Sequence, residues 1–291
     1  MAPQPYTVSL LPNAGLGNKL LVWARGLVHA HQTNTLHRAL FWSRPSRFIL
    51  AKSRTSLYGK FIRDNPISEI AFLSRFYNEI RSGVVEPNIG VPSGAQWSIF
   101  NQVPHWSDYF LGIRDHRDLI QFELSKLVRG ENQSAISNTI AIHMRRGDFK
   151  DHDPKLDFRA QGNTRTPICY FEKVMASIKR DYPDFLINVY TDEADSEVLQ
   201  FCQKWSARVA STYNPASDLL QMSASRILVL SASSTFSLWS AFLSRGVIVH
   251  HPDHFHQPVR SAAHNALELV AHDGELPIGW SEYLRAQLDR E

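Results

Sequence analysis

Two adjacent arginines stand in His143-Met144-Arg145-Arg146-Gly147-Asp148, at the end of the apolar run that starts at Thr139. Guanidinium groups at the mouth of a buried strand are costly unless an anion or a carboxylate meets them. The planar fork of Arg donates two parallel hydrogen bonds and suits phosphate, so one reading is an anion site on Arg145. The other is an ion pair with Asp148 that closes a turn. Residue types alone do not choose between them.

A second candidate is Ser231-Ala232-Ser233-Ser234-Thr235-Phe236-Ser237, which follows the apolar Ile227–Leu230. Small hydroxyl residues cap a helix. The same backbone N–H groups and hydroxyls bind a phosphate, aided by the helix dipole. Four serines and a threonine exceed what one cap requires. A third candidate, Gly15-Leu16-Gly17-Asn18, ends the first β-prone run and reads either as a close backbone approach to a ligand or as a tight turn. It lacks the third glycine of a dinucleotide fingerprint, and no ribose-binding acid follows at the expected place, which disfavours a nicotinamide oxidoreductase. Asp151-His152-Asp153 and His250-His251-Pro252-Asp253-His254-Phe255-His256 contain metal-ligand types. The first is a short match in a polar loop. The second contains a Pro and has no partner cluster, so it reads as a loop that rims a cleft rather than as a zinc site. No metal is expected.

These segments need strands to hold them. Tyr6–Leu11 is β-prone and precedes a helix expected over about 18–31, with a second strand at Ala39–Trp42. Signals from Thr55 to Gln102 are irregular. A helix over 115–128 and a polar linker over 130–138 follow. Strands are expected at 139–144, 185–191, 226–230 and 247–249. Helices at 167–182, from 192 to about 205, at 216–225 and at 234–244 alternate with them. Short strands alternating with helices indicate α/β architecture with parallel sheets. The boundaries expected are 1–132 for a first, acceptor-side domain and 133–291 for a second, nucleotide-sugar-binding domain, with the last helix packing back on the first. Ligands in such sheets bind beyond the carboxyl ends of the strands.

Across 291 residues, 43% are hydrophobic and 20% charged, an ordinary globular balance for two domains. The net charge of +3 is too small to argue for nucleic acid, and the basic stretch from Arg38 to Arg63 reads as a solvated face or a glycan contact. No run of about eighteen apolar residues suggests a membrane span. The opening Met1–Pro5 shows no secretory pattern. Cys169 and Cys202 read as free thiols, so the cytoplasm is the expected location.

Together the motifs resemble the alpha-1,2-fucosyltransferases (glycosyltransferase family eleven) and, more distantly, alpha-1,6- and protein O-fucosyltransferases. The resemblance is carried by Gly15-Leu16-Gly17-Asn18-Lys19-Leu20 and by Ile142-His143-Met144-Arg145-Arg146-Gly147-Asp148-Phe149, which fits a His-x-Arg-Arg-x-Asp signature. It continues in Tyr190-Thr191-Asp192-Glu193, Asp218-Leu219-Leu220-Gln221-Met222-Ser223 and Ser233–Leu243. It implies a GT-B fold, two Rossmann-like domains whose sheets face a central cleft, and an inverting, metal-independent transferase that moves L-fucose from GDP-fucose to a glycan hydroxyl. The expected linkage is alpha-1,2 to galactose. The alternatives are another GDP-sugar or a non-catalytic glycan- or nucleotide-sugar-binding protein. By the same resemblance Arg145 holds the β-phosphate, and His143 and Asp218 meet the guanine nucleoside. Ser234 and Thr235 cradle the pyrophosphate, Ser233, Gly15 and Gly17 belong to the donor site, and Asn18 is catalytic with Arg145, reaching the cleft close to the transferred sugar. Arg146 and Asp148 shape the loop. Asp192, Asp148 and Glu193 are the candidates for a general base. The chain departs from the family at Ser233, Lys19 and Leu238, where Asn, Gln and Trp are usual; Lys19 either adds charge near the phosphates or faces solvent. The stretch Lys52–Gln102 carries no motif and is the candidate acceptor wall. Trp97 and Trp106 are either sugar platforms or core.

Overall fold

A computed structural model of the chain describes residues 4–42, 66–128, 136–153, 155–212, 214–262 and 267–289. The basic stretch beyond Trp42, much of the expected linker and the first part of the unpatterned region lie outside the described residues. The chain divides into two compact units, Met1–Asn132 and Gln133–Glu291.

In the first unit, β1 (Tyr6–Leu10) leads into α1 (Leu16–Thr33), followed by β2 (Leu36–Leu40), α2 (Pro66–Ser82), β3 (Val84–Val85), β4 (Trp97–Phe100) and α3 (Arg117–Leu127). The strands form a parallel sheet in the order β2-β1-β4-β3. Helix α1 is longer than expected. It starts on Gly15 as N-cap and ends on Asn34, whose left-handed φ of 53° lets its N–H reach Ala30 O. The second strand stops at Leu40, because Phe41 turns out of it with φ 74°. Helix α2 and β4 occupy the region that reads as irregular. Phe72, Leu73, Phe76 and Ile80 form one apolar face of α2 over Val8, Trp97 and Ile99. Trp97 is core: its ring stacks on Tyr6 with centroids 4.7 Å apart. Trp106 is exposed.

The second unit runs β5 (Ser137–Met144), α4 (Phe158–Gln161), α5 (Ile168–Asp181), β6 (Leu186–Thr191), α6 (Ser196–Trp205), β7 (Arg208–Val209), α7 (Pro215–Ser223), β8 (Ser225–Val229), α8 (Thr235–Leu243), β9 (Val247–His250), β10 (Glu268–Val270) and α9 (Trp280–Leu288). Its sheet is parallel throughout, in the order β10-β9-β8-β5-β6-β7. Ile140, Ile142, Val189, Ile227, Val229, Val247 and Val249 are buried, as strands covered on both faces require. The α/β class and the two parallel sheets agree with expectation. Strands β7 and β10 are too short to leave a pattern. Helix α9 buries Trp280 and Leu284 in the second unit's core, where Tyr182 Oη donates to Ser281 O at 2.6 Å.

Candidate active site at the strand ends of the second sheet

From β5 the chain moves outward to β6 and β7, then returns to the other side of β5 to add β8, β9 and β10. The direction of winding therefore reverses between β5 and β8, and a crevice opens beyond the carboxyl ends of two such strands. The arginine segment leaves β5 there, and the hydroxyl-rich segment leaves β8. The backbone N–H of Arg145 donates to Ser231 Oγ at 2.9 Å. The rings of His143 and Phe236 lie 5.4 Å apart. Two motifs separated by more than eighty residues are thus one wall.

Asp192, at the end of β6, organises the arginine turn. Its carboxylate accepts from Arg146 N at 2.8 Å and Gly147 N at 3.1 Å, and pairs with the Arg145 guanidinium at 3.0 Å. Burial pushes its pKa up, but the Arg145 charge and the two amides outweigh this and hold it below the usual carboxylate range. Such a group holds a loop well and accepts a proton poorly. Arg145 also meets Asp148 at 2.5 Å, so the turn-closing ion pair is formed. The guanidinium itself is part exposed, and Asp148 is largely exposed.

Arg146 faces inward. Its side chain is 3% exposed, donates to Asp195 at 2.8 Å and pairs with Glu197, tying the turn to the start of α6. Asp195 caps that helix by accepting from Val198 N at 3.0 Å. His143 is buried, and its Nδ1 has no hydrogen-bond partner among the described residues. Burial and then the Arg145 charge, against the opposing pull of Asp192, lower its pKa to about 3, so the imidazole is neutral near pH 7.

Each serine of the second motif has a place. Ser231 takes the Arg145 amide. Ser234 is the N-cap of α8, its Oγ accepting from Ser237 N at 3.4 Å. Ser237 Oγ donates to Ser234 O at 3.1 Å. Ser233 has φ 56°, and its Oγ lies 3.1 and 3.0 Å from the two ring nitrogens of His254. The first turn of α8 contains no acidic residue, and its first intrahelical bond is Leu238 N to Ser234 O. The amides of Thr235 and Phe236 precede that bond, at the positive end of the helix dipole.

Most of the remaining candidates have partners of their own. Asp218 sits in α7, and its Oδ1 accepts from Thr212 N and Thr212 Oγ1, both at 2.8 Å. A guanine contact through both carboxylate oxygens therefore requires Thr212 to release Oδ1. Glu193 is exposed, and its backbone N–H donates to Thr191 Oγ1 at 3.2 Å. Asp151 pairs with Arg165 at 3.0 Å, and Asp153 Oδ1 accepts from Lys155 N at 3.0 Å. No group of three metal-ligating side chains comes together among the described residues. In the first unit, Gly15 and Gly17 open α1, and Asn18 Oδ1 is buried without a hydrogen-bond partner among the described residues. Lys19 does not face solvent: it is buried and donates to Phe41 O at 2.5 Å.

Sequence reasoning missed two supports. Thr166 Oγ1 accepts from Ala232 N at 2.9 Å. Arg165 Nε donates to Arg146 O and Phe149 O, each at 2.9 Å. Both come from a segment with no strand-end signal, so only the tertiary fold reveals them.

The family model for glycosyl transferase family 11 matches residues 30–261. The chain belongs to glycosyltransferase family 11. No curated protein matches this glycosyltransferase in sequence. Among solved structures, the fucosyltransferase NodZ from Bradyrhizobium is similar at 11% identity and TM-score 0.44, over 84% of this chain and 95% of that one. POFUT1 in complex with GDP-fucose is similar at 10% identity and TM-score 0.45, over 92% and 98%. The E. coli heptosyltransferase WaaC with ADP is similar at 9% identity and TM-score 0.42, over 98% and 99%. No helix among the described residues is long and apolar enough to cross a membrane.

Proposed function

We propose that this glycosyltransferase moves L-fucose from GDP-fucose to a glycan hydroxyl with inversion, without a metal ion. The observation that carries the reading is the bond between the Arg145 amide and Ser231 Oγ at 2.9 Å. It joins a guanidinium and a helix N-terminus at the switch point of a parallel sheet, where a diphosphate has donors on both sides.

When the sugar C1–oxygen bond breaks, positive charge grows on the ring and negative charge on the β-phosphate. Arg145 and the start of α8 carry donors for that anion. A preorganised contact of this kind contributes on the order of 3 kcal/mol, a rate factor of about a hundred or more. Arg145 is held by Asp192 and by the largely exposed Asp148. An ion pair so exposed contributes about 0–1 kcal/mol, so a diphosphate displaces Asp148 at little cost. Asp192 stays and keeps the turn in place. The neutral His143 imidazole serves the nucleoside. The acceptor hydroxyl attacks the face opposite GDP. Of the three carboxylates, Asp192 is engaged by the turn, which leaves Asp148 and Glu193; an oxocarbenium-like path asks little of either. The family kinship favours the 2-hydroxyl of a galactoside as acceptor.

The test is GDP release from GDP-fucose with and without lactose, in the presence of EDTA, with mass spectrometry and linkage analysis of the product. Acceptor-dependent release that EDTA does not slow, and an alpha-1,2-linked fucosyl product, are expected. Turnover of GDP-mannose in place of GDP-fucose, or loss of activity with EDTA, contradicts the reading.

A further inference from the structure

We propose that His254 is a positioning residue for the diphosphate, propping Ser233 in the backbone conformation that aims the start of α8. The proposal rests on the functional reading above and names a side chain that the reading does not use. Ser233 has φ 56°, in the left-handed region, where an ordinary side chain loses about tenfold in population. Something must hold it there. The Ser233 hydroxyl lies 3.1 and 3.0 Å from the two ring nitrogens of His254, in direct contact with the ring. The next residue, Ser234, is the N-cap of α8, so the φ of Ser233 sets where the helix's first amides point.

His254 can act as a prop because it is itself fixed. It closes a single helical turn, Pro252–His254, and its ring meets Phe158 edge-on at 5.6 Å. His251 stacks on the same Phe158 ring at 5.0 Å and accepts from Asp253 N at 3.2 Å. The ends of the segment are pinned by one buried carboxylate. Glu268 accepts from His250 Nε2 at 2.7 Å, Val259 N at 3.1 Å, Arg260 N at 2.9 Å and Arg260 Nε at 3.2 Å. Arg260 also donates to Gly246 O at 2.7 Å. A surface excursion is thereby made rigid enough to bear on the phosphate loop.

The experiment measures Kd for GDP and thermal midpoint for the unaltered protein, His254→Ala, Ser233→Asn and the double variant. Asn tolerates the left-handed region far better than most residues and needs no prop. His254→Ala is expected to weaken GDP binding about tenfold, the population penalty for an unpropped residue at this φ. Within the Ser233→Asn background the same change is expected to weaken it less than about twofold, since Asn holds the turn by itself. An equal loss in both backgrounds means that His254 contacts the nucleotide directly and overturns the proposal. So does a lowered thermal midpoint with unchanged Kd, which marks a purely structural role. If the unaltered protein fails to bind millimolar GDP, the functional reading falls first and takes this one with it.

Discussion

Replacing Asp192 by Asn separates two roles that one carboxylate could have. The change is nearly isosteric and removes the charge. One of the two oxygens that accept from Arg146 N and Gly147 N becomes an amide donor facing an N–H group. Losing a hydrogen bond to a charged group costs about 1.5–3 kcal/mol. The ion pair with Arg145, whose partners are 29% and 23% exposed, adds at most about 1 kcal/mol after solvent screening. Together these amount to about 1.5–4 kcal/mol, or roughly 12- to 700-fold in the equilibrium constant for ordering the turn. In a unit of this size the thermal midpoint is expected to fall by about 3–16 °C. The assay is calorimetric titration with GDP well below that midpoint, alongside GDP-fucose hydrolysis and transfer to acceptor. The expected result is a GDP Kd raised about tenfold or more, with hydrolysis and transfer falling together. If Asp192→Asn binds GDP normally, hydrolyses donor normally and loses transfer alone, Asp192 is the base and the positioning argument is refuted.

Other perturbations follow from the same geometry. Ser231→Ala leaves the Arg145 amide without its acceptor, which is expected to cost about 1–3 kcal/mol in urea unfolding and to weaken GDP binding. His143 is neutral when folded because its pKa is lowered to about 3 from 6.5. Its contribution is therefore complete above pH 6.5 and declines as pH falls toward the folded value. Between pH 6.5 and 5.5 the loss is about 1 kcal/mol, and His143→Gln is expected to remove that slope in urea midpoints measured across the range. Glu268 has the depressed pKa of about 2: burial raises it, but the bonds from His250, Arg260 and Val259 prevail. Its stabilisation is present above pH 4.5 and is lost between there and about 2. Glu268→Gln removes the carboxylate charge that faces the buried Arg260, at about 3–5 kcal/mol, read as a lower thermal midpoint at pH 7.

Much of the second unit is legible without coordinates because its strands are buried on both faces. An apolar run that meets Arg145, Asp192 or Ser231 must end there, and those ends are where the crevice opens. The first unit is harder to read. Helix α2 and β4 belong together only because Phe72, Phe76 and Trp97 share a core, and no local pattern reports a partner twenty residues away. The candidate site divides in the same way. The segment types point to Arg145 and the α8 cap, but not to the orientation of Lys19, which depends on where the Phe41 carbonyl lands, nor to Thr212 at Asp218. His254 reads as a loop residue because its partner, Ser233, is distant in sequence and its anchor, Glu268, lies in a strand of three residues.

Turnover of Arg145→Ala at saturating GDP-fucose is the most direct test of the idea that this guanidinium carries the charge leaving the sugar. A fall of about a hundredfold or more, with the protein still folded, is the result expected of a donor to the departing phosphate. Turnover close to that of the unaltered protein would mean that the anion is stabilised elsewhere.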